Sequence, residues 1–336
     1  MQVRFAALAF LMLAGCVSVG PARRFDVEPT QLQARSAPIL LVHGMLAGPR
    51  PLSGLTTFDG AIVRALAAAG FDVWCPALTA VGPSSVRAPE LARAIELVLA
   101  RSGAAKVHLI AHSQAGIDAR LVLEDPRVRE RIASVTTLSS PHGGTPLANV
   151  GVGLRGSLAE RVIARFGRRI AEARGWPGDE GDARGLIGSL TTQNMAHFAV
   201  EHPLQGEVPF YSLAATPLPA GDGSCDGGAW PAPTRPNAWH PFMALGAAIM
   251  REQPGEADAA SDGMVPTRAQ RFGRFLGCLP IDHIGWMRGR SRCGGVDILA
   301  FYVELARALA ELEHGTAAAF DSHLPALSTI VGAPAR

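Results

Sequence analysis

Residues 106–116 have the sequence Lys-Val-His-Leu-Ile-Ala-His-Ser-Gln-Ala-Gly, which indicates the class of fold more clearly than any other segment. Its first half is an apolar run of the kind that forms a strand buried on both faces of a parallel sheet. A helical pattern begins directly after Ser113. The small residues Ala111 and Ala115 lie two positions on either side, where a sharp strand-to-helix turn brings side chains close together. Such a turn lifts the central hydroxyl above the edge of the sheet, so Ser113 is the candidate nucleophile.

The alternation of strand and helix extends on both sides of this stretch. Strands are predicted at residues 39–42, 71–75, 106–111, 133–138, 208–213 and 272–279, and helices at 58–69, 89–100, 115–123 and 296–312. This alternation is typical of an α/β protein with a mostly parallel, doubly wound sheet. One domain over residues 37–314 accounts for all of these elements.

Two parts of the chain depart from the alternation. Residues 145–205 carry helical patterns at 158–173 and 190–200 with no strand between them, and this insertion is predicted to be a helical lid above the sheet. Residues 216–260 are rich in Gly, Pro, Ala and Trp and support no prediction of elements. The end of the chain, residues 315–336, is predicted to be a loosely held tail.

The N-terminal residues have the features of an export signal. Residues 5–14 are apolar but too few to span a bilayer, so residues 1–15 are predicted to be a signal peptide. The motif Leu13-Ala14-Gly15-Cys16 resembles the lipobox of bacterial lipoproteins, which implies lipids on Cys16 and a tether over residues 16–36. We therefore expect an exported lipoprotein, anchored at the outer membrane or the periplasmic face. The alternative is a secreted protein with an ordinary signal peptide and a chance cysteine.

Composition excludes other classes of protein. A net charge of +2, 48% hydrophobic and 18% charged residues describe a globular chain, with no electrostatic reason for a nucleic-acid partner. The basic residues are mostly Arg, and we interpret them as solvated. The sequence predicts no oligomeric state.

A serine nucleophile needs a base, and the base needs an acid that orients it. In this type of sheet the acid and then the histidine follow the serine along the chain, and Asp262 and His283 meet that order. Asp258 is the reserve acid, whereas Asp282 is not expected to orient the neighbouring ring. Taken singly, Asp262 could be a turn residue and His283 a surface histidine.

The reaction also needs main-chain N–H donors for the negatively charged oxygen of its intermediate. The Gln114 N–H follows the nucleophile, and the Met45 N–H follows the first predicted strand, where Gly44 allows a tight turn. We interpret the adjacent His43 and His112 as structural hydrogen-bonding residues.

Four cysteines besides Cys16 allow three complete pairings, and the sequence does not choose among them. Cys75 lies in an apolar run and is compatible with a buried thiol. A bridge between Cys278 and Cys293 is one of the possibilities, close to His283.

Several separate motifs between residues 38 and 287 resemble the bacterial true lipases, the secreted triacylglycerol lipases of Pseudomonas and Burkholderia. The matching segments are residues 38–44, 102–116, 140–146, 189–192, 261–263 and 282–283, with Phe198 and Pro203. The resemblance implies the α/β-hydrolase fold, hydrolysis of carboxylic esters, a triad of Ser113, Asp262 and His283, oxyanion donors at Met45 and Gln114, and a lid. Members of this family typically hold a structural calcium ion.

Two positions depart from the family at its calcium site. Gly285 stands where the family has one calcium-binding Asp, and residues 239–241, Trp-His-Pro, offer no second carboxylate. We therefore predict no calcium and no other cofactor. Arg268 lies near the place of a family cysteine, so the family's disulfide is also expected to be absent.

These patterns leave three candidate functions. The first is a lipase or esterase that acts through an acyl-enzyme. The second is an esterase of the same fold that acts on polyhydroxyalkanoate or phospholipid. The third is a non-catalytic surface lipoprotein that has kept the fold.

Overall fold

The structure, a computed structural model, describes residues 36–45, 58–154, 182–204, 206–257, 259–289, 295–314 and 317–332. Its centre is one parallel sheet of six strands, in the order β2-β1-β3-β4-β5-β6. The strands are β1 (Ile39–Val42), β2 (Val73–Trp74), β3 (Val107–His112), β4 (Ile132–Leu138), β5 (Phe210–Ala215) and β6 (Arg274–Leu279). The chain runs from β1 to one edge and then returns past it toward the other edge. The predicted doubly wound parallel sheet is confirmed.

Helices cover both faces of the sheet in the described residues. They are α1 (Gly60–Ala68), α2 (Ser84–Ser102), α3 (Ala115–Val122), α4 (Pro126–Arg129), α5 (Pro146–Gly153), α6 (Ala183–Ser189), α7 (Thr192–Glu201), α8 (Pro241–Arg251), α9 (Ile298–His314), α10 (Ala317–Asp321) and α11 (Leu324–Gly332). No helix in these ranges is long and apolar enough to cross a membrane.

The core has two apolar layers, one on each face of the sheet. Alternate residues of β1 belong to different layers, because successive side chains of a strand point to opposite faces. Leu40 and Val42 pack with α2 and α3, whereas Ile39 and Leu41 pack with α1 and α9. All four are at most 1% exposed, which explains why the sequence of β1 is a continuous apolar run.

The structure departs from the predicted elements at several places. Strands β2, β5 and β6 begin two residues later than predicted, and helices α4, α5 and α6 were not predicted. Helix α2 begins at Ser84 rather than at Pro89, which lies inside the helix. Helix α8 was not predicted. The stretch expected to be a loose tail carries α10 and α11, whose Phe320 and Leu327 are fully buried in the same apolar layer as α9. Of the predicted lid, residues 158–173 lie outside the described residues, while α5, α6 and α7 are described.

The disulfide joins Cys225 to Cys278, which is the residue before the last one of β6. The suggested Cys278–Cys293 bridge is therefore wrong, and sequence separation carried no signal for the correct choice. Cys75 is a free, half-buried thiol, and burial raises its pKa to about 12, which is compatible with the interpretation as a thiol within the fold. Cys16 and Cys293 lie outside the described residues.

Candidate active site

Ser113 lies in the sharp turn between β3 and α3, at the carboxyl edge of the sheet. Its φ of 58° is in the left-handed region, which costs a non-glycine residue of the order of 1–3 kcal/mol. The turn is tightly packed: a Cβ added at Gly44 would lie 2.7 Å from the Ser113 Cβ, and one at Gly116 would lie 2.2 Å from the Ser140 Oγ. The flanking Ala111 and Ala115 are fully buried, so the local sequence has small residues where the backbone segments meet.

The structure brings together the three side chains that the sequence singled out. The Nε2 of His283 lies 2.9 Å from the Ser113 Oγ, and its Nδ1 lies 2.8 Å from the Asp262 Oδ2. Because a carboxylate can only accept, His283 donates its Nδ1–H to Asp262, and its Nε2 accepts from the serine hydroxyl. Asp262 is fully buried, whereas Ser113 and His283 are 7% and 6% exposed. The reactive end of this chain of hydrogen bonds is thus the end nearest to solvent.

The Asp262 carboxylate is fixed by its own turn. Its Oδ1 accepts from the main-chain N–H groups of Met264 and Val265, at 2.9 and 2.8 Å, which leaves Oδ2 for His283. The Asp262 carbonyl oxygen also accepts from the His283 main-chain N–H at 2.9 Å. The reserve acid, Asp258, lies outside the described residues.

Gln270 ties this acid turn to the sheet. Its Nε2 donates to the Val265 carbonyl at 3.0 Å, and its Oε1 accepts from the Ala215 N–H at 2.8 Å and the Ser139 hydroxyl at 3.1 Å. Gln270 is fully buried in a 3-10 turn. Sequence reasoning missed this residue, and nothing local distinguishes it from a surface glutamine.

Met45 and Gln114, the predicted oxyanion donors, lie beside the nucleophile. Met45 follows Gly44, which packs directly against Ser113, and Gln114 is the residue after the nucleophile. The Gln114 side chain is fully buried and donates to the Gly82 carbonyl at 2.7 Å, which holds the start of α3 against the loop before α2.

His43 and His112 are hydrogen-bonding residues of the framework, as the sequence interpretation had it. His43 donates from Nδ1 to the Gly44 carbonyl at 2.8 Å and accepts at Nε2 from the Leu78 N–H at 3.1 Å. Burial, with a smaller contribution from the Arg87 charge, lowers the pKa of His43 to about 3. His112 donates from Nε2 to the His283 carbonyl at 2.8 Å, and burial keeps its pKa well below 6.5.

Arg87 holds the loop that carries Met45, and the interpretation of the arginines as solvated is wrong here. Its side chain is fully buried and donates to the His43 and Thr79 carbonyls, each at 2.6 Å. Its Nε pairs with the Asp118 carboxylate at 2.8 Å, also fully buried. Burial raises the pKa of Asp118 more than the Arg87 charge lowers it. A signal did exist: Arg87 lies four residues before Leu91, on the buried stripe of α2.

Next to Met45 and the start of α3 lies a separate apolar cluster, formed largely by the helices of the insertion. The cluster consists of buried or half-buried apolar side chains, those of Met45, Val81, Ile117, Ala148, Leu186, Ile187, Leu190, Met195 and Phe198. Met45 directly follows the Gly44 that packs on Ser113, and Ile117 lies in α3 four residues after Ser113. The cluster therefore borders the candidate site.

The residues at the family's calcium positions do not fit that ion. Gly285 has no side chain, and the main-chain N–H of His240, a hydrogen-bond donor, lies 2.7 Å from the Asp282 Oδ2. Calcium is held by several oxygen ligands, commonly carboxylates, and these positions supply one carboxylate, which already accepts from an N–H. Within the ranges that the structure describes, no group of three or more His, Cys, Asp or Glu residues could hold a metal ion.

The comparisons with known proteins agree with the fold. A family model described as "alpha/beta hydrolase fold" matches residues 37–169. The chain is 32% identical over 172 residues to a triacylglycerol lipase of Pseudomonas fragi. The aligned region covers 49% of this chain and 57% of the lipase. It is 29% identical over 213 residues to a triacylglycerol lipase of Burkholderia plantarii, with coverages of 60% and 58%. The matches thus span little more than half the length of these relatives.

Solved structures show the same fold at lower identity. A Bacillus licheniformis lipase in its mature form aligns with a TM-score of 0.55 and 21% identity, covering 79% of this chain and 93% of that one. A Staphylococcus hyicus lipase aligns with a TM-score of 0.58 and 12% identity, with coverages of 86% and 99%. Structural likeness and family model agree on the α/β-hydrolase fold. Over about half of its length the chain is similar in sequence to triacylglycerol lipases, in line with the motif resemblance.

Proposed function

We propose that this protein is a serine carboxylic-ester hydrolase of the lipase or esterase type, with Ser113, His283 and Asp262 as its catalytic triad. The observation that carries the proposal is the continuous hydrogen-bonded chain from the Ser113 Oγ through both ring nitrogens of His283 to Asp262. A buried hydroxyl, imidazole and carboxylate in this order form the arrangement that activates a serine.

The first half of the reaction forms an acyl-enzyme. The Ser113 Oγ attacks the ester carbonyl carbon while its proton passes to the His283 Nε2. The Met45 and Gln114 main-chain N–H groups stabilise the negative charge that develops on the carbonyl oxygen. As the intermediate collapses, the bond to the alcohol oxygen breaks, and His283 returns the proton to that oxygen.

The second half releases the acid. Water attacks the acyl carbon, and His283 again takes the proton at Nε2. The bond to the Ser113 Oγ then breaks, and the same proton restores the serine hydroxyl. Asp262 orients the ring through Nδ1 and stabilises the positive imidazolium that forms in each half.

The surroundings of Ser113 favour an ester with an apolar acyl group. Met45, which follows the glycine packed on Ser113, is a half-buried member of the apolar cluster and can contact a hydrocarbon chain. The two curated relatives are named triacylglycerol lipases, which supports a lipid ester as substrate. Rates over a series of p-nitrophenyl esters test this. We expect a maximum at medium or long chains, and a maximum at two to four carbons would contradict a lipid substrate.

Replacing the nucleophile tests the reaction itself. We expect Ser113→Ala to lower kcat by at least ~10⁴-fold with an unchanged fold, because the covalent route is lost. Ser140→Ala is the matched control: it removes another buried hydroxyl at the same sheet edge, one without a hydrogen-bond partner in the described part of the chain. Equal, slow hydrolysis by wild type and Ser113→Ala would favour a non-catalytic lipoprotein instead.

We propose further that the protein is exported and held at a membrane by lipids on Cys16, with the insertion at residues 145–205 acting as a lid. The motif before Cys16 supports the anchor. We expect labelled palmitate to enter the wild-type protein during expression in a Gram-negative host and not to enter Cys16→Ala, with Cys75→Ala as the labelled control. Labelling of Cys16→Ala at the wild-type level would contradict the anchor.

A further inference from the structure

His283 lies in a short loop that joins β6 to a 3-10 turn at Gly285–Met287. We propose that Asp282, the residue before it, is a positioning residue that fixes this loop by binding the main chain of His240. The inference rests on the proposed function, because it assigns Asp282 a part in presenting the base of that reaction.

The contact is short, partly buried and made to a fixed partner. The Asp282 Oδ2 accepts from the His240 main-chain N–H at 2.7 Å, and Asp282 is 3% exposed. His240 is the N-cap of α8, and its Nδ1 accepts from the Phe242 N–H at 3.3 Å. The Asp282 carboxylate is therefore attached to the beginning of a helix of 11 residues rather than to a free loop.

A second contact joins the same two segments. The side-chain amide of Asn237 donates to the Pro280 carbonyl, two residues before Asp282. Asn237 and His240 thus bind the loop at two points, and His112 binds it at a third, the His283 carbonyl. The bond from the His283 main-chain N–H to the Asp262 carbonyl is a fourth point, and together these contacts keep the imidazole in the position from which it reaches Ser113.

Helix α8 also contacts the acid turn, so it relates the two partners of the triad to each other. A Cβ added at Gly246 would lie 2.0 Å from the Gly263 carbonyl, and one at Gly263 would lie 2.5 Å from the Met243 carbonyl. Helix and turn are therefore in backbone contact. Through His240 and Asp282, the helix that supports Asp262 also holds the loop of His283.

The chemistry of Asp282 indicates that its role is to accept this bond and not to orient the ring directly. The His283 Nδ1 is already bound to Asp262. The other oxygen of Asp282, Oδ1, is buried and has no hydrogen-bond partner within the described residues. A buried, half-paired carboxylate is costly, and an apolar side chain would fill the space at lower cost. The bond to His240 is what an apolar residue could not supply.

The test compares two substitutions. Asp282→Asn keeps an oxygen acceptor for the His240 N–H and removes the charge, whereas Asp282→Ala removes both. We expect Asp282→Ala to lower kcat by about tenfold or more at unchanged KM, because a small displacement of the base slows the chemical step. Asp282→Asn is expected to restore kcat close to the wild-type value.

A matched control separates positioning from general loss of stability. Glu313 is a partly buried carboxylate that also accepts from a main-chain N–H, that of Ala37 at 2.8 Å, but at the amino edge of β1. Glu313→Ala is expected to lower the free energy of unfolding while kcat is kept. Wild-type kcat in Asp282→Ala, or an equal loss in Asp282→Asn, would overturn the proposal.

Two further measurements cover the remaining outcomes. If Asp282→Ala does not fold, Asn237→Ala tests the same attachment of the His283 loop. A lower kcat at unchanged KM supports the proposal, and an unchanged kcat overturns it. If the wild type shows no hydrolysis that depends on Ser113, the proposed function fails separately. Amide hydrogen exchange then measures how firmly the loop is held, independently of activity. We expect faster exchange at His283 and Gly285 in Asp282→Ala, and unchanged exchange would overturn the proposal.

Discussion

The buried guanidinium of Arg87 shows how one residue can organise a loop that it does not belong to. It donates to carbonyl groups on two separate segments, at His43 and Thr79, while Asp118 balances its charge. A planar group with five N–H donors can serve these directions at once, whereas the ammonium of a lysine cannot. The loop that follows β1, and with it the Met45 N–H, depends on this contact.

Two variants of Arg87 distinguish the effect of its charge on stability from the effect of its carbonyl contacts on activity. We expect Arg87→Met to lower the free energy of unfolding by about 3–5 kcal/mol, because Asp118 is left buried without a partner. The double variant Arg87→Met/Asp118→Leu should recover much of that stability but not kcat, since the carbonyls of the loop stay unbound. Urea unfolding and ester hydrolysis measure the two quantities. Recovery of kcat in the double variant would show that the loop needs no anchor.

At the scale of elements, the strands were predictable because their apolar runs are buried on both faces. The bounds of β1 agree with the prediction, and those of β3 and β4 differ by one residue at one or both ends. The start of helix α2 was predicted wrongly because proline often occupies the first turn of a helix, whereas Pro89 lies inside this one. Helix α8 escaped detection among the Gly and Pro residues of 216–260.

The candidate site also contains residues that the sequence could indicate and residues that it could not. Ser113, Asp262 and His283 could be found because a known chain order and local turn chemistry mark them. The roles of Gln270 and Asp282 could not be found, because each depends on a neighbour distant in sequence, such as Ala215 for Gln270. Arg87 was missed because helix α2 was predicted to begin two residues after it. The disulfide between Cys225 and Cys278 could not be predicted either, because the spacing of the cysteines along the chain does not indicate which of them meet in the fold.

The packing of α8 on the acid turn gives an element-scale prediction. Gly246→Ala adds a good helix former, worth about 1 kcal/mol in an open helix. The new methyl would nevertheless overlap the Gly263 carbonyl, so we expect a net loss of about 1–3 kcal/mol and a lower kcat. Gly153→Ala, at the end of α5 with open space around it, is the control and should lose neither. A Gly246→Ala variant as active and stable as wild type would show that helix and turn are not in close contact.

For the whole molecule, the buried histidines set the response to acid. Burial lowers the pKa of His43, His112 and His142, that of His43 to about 3. In the unfolded chain these groups titrate near 6.5, so the unfolded state binds more protons between the two values. Their contribution to stability is complete above about pH 6.5 and is lost as the pH falls toward 3. The raised pKa of Asp118 opposes this, but as one group against three.

We therefore expect the free energy of unfolding to fall between pH 7 and pH 4, by up to about 1.4 kcal/mol per pH unit for each histidine. Urea unfolding at a series of pH values measures the slope. His142→Gln should reduce the slope, because it removes one of the buried histidines whose pKa is lowered. A stability that is flat or rises toward pH 4 would contradict the account.

The left-handed backbone at Ser113 has one last consequence. Glycine adopts this conformation without strain, so selection for folding alone would favour glycine at position 113 and would erase the hydroxyl. Serine at this position marks the place where the requirements of a stable molecule and those of a working one point in opposite directions.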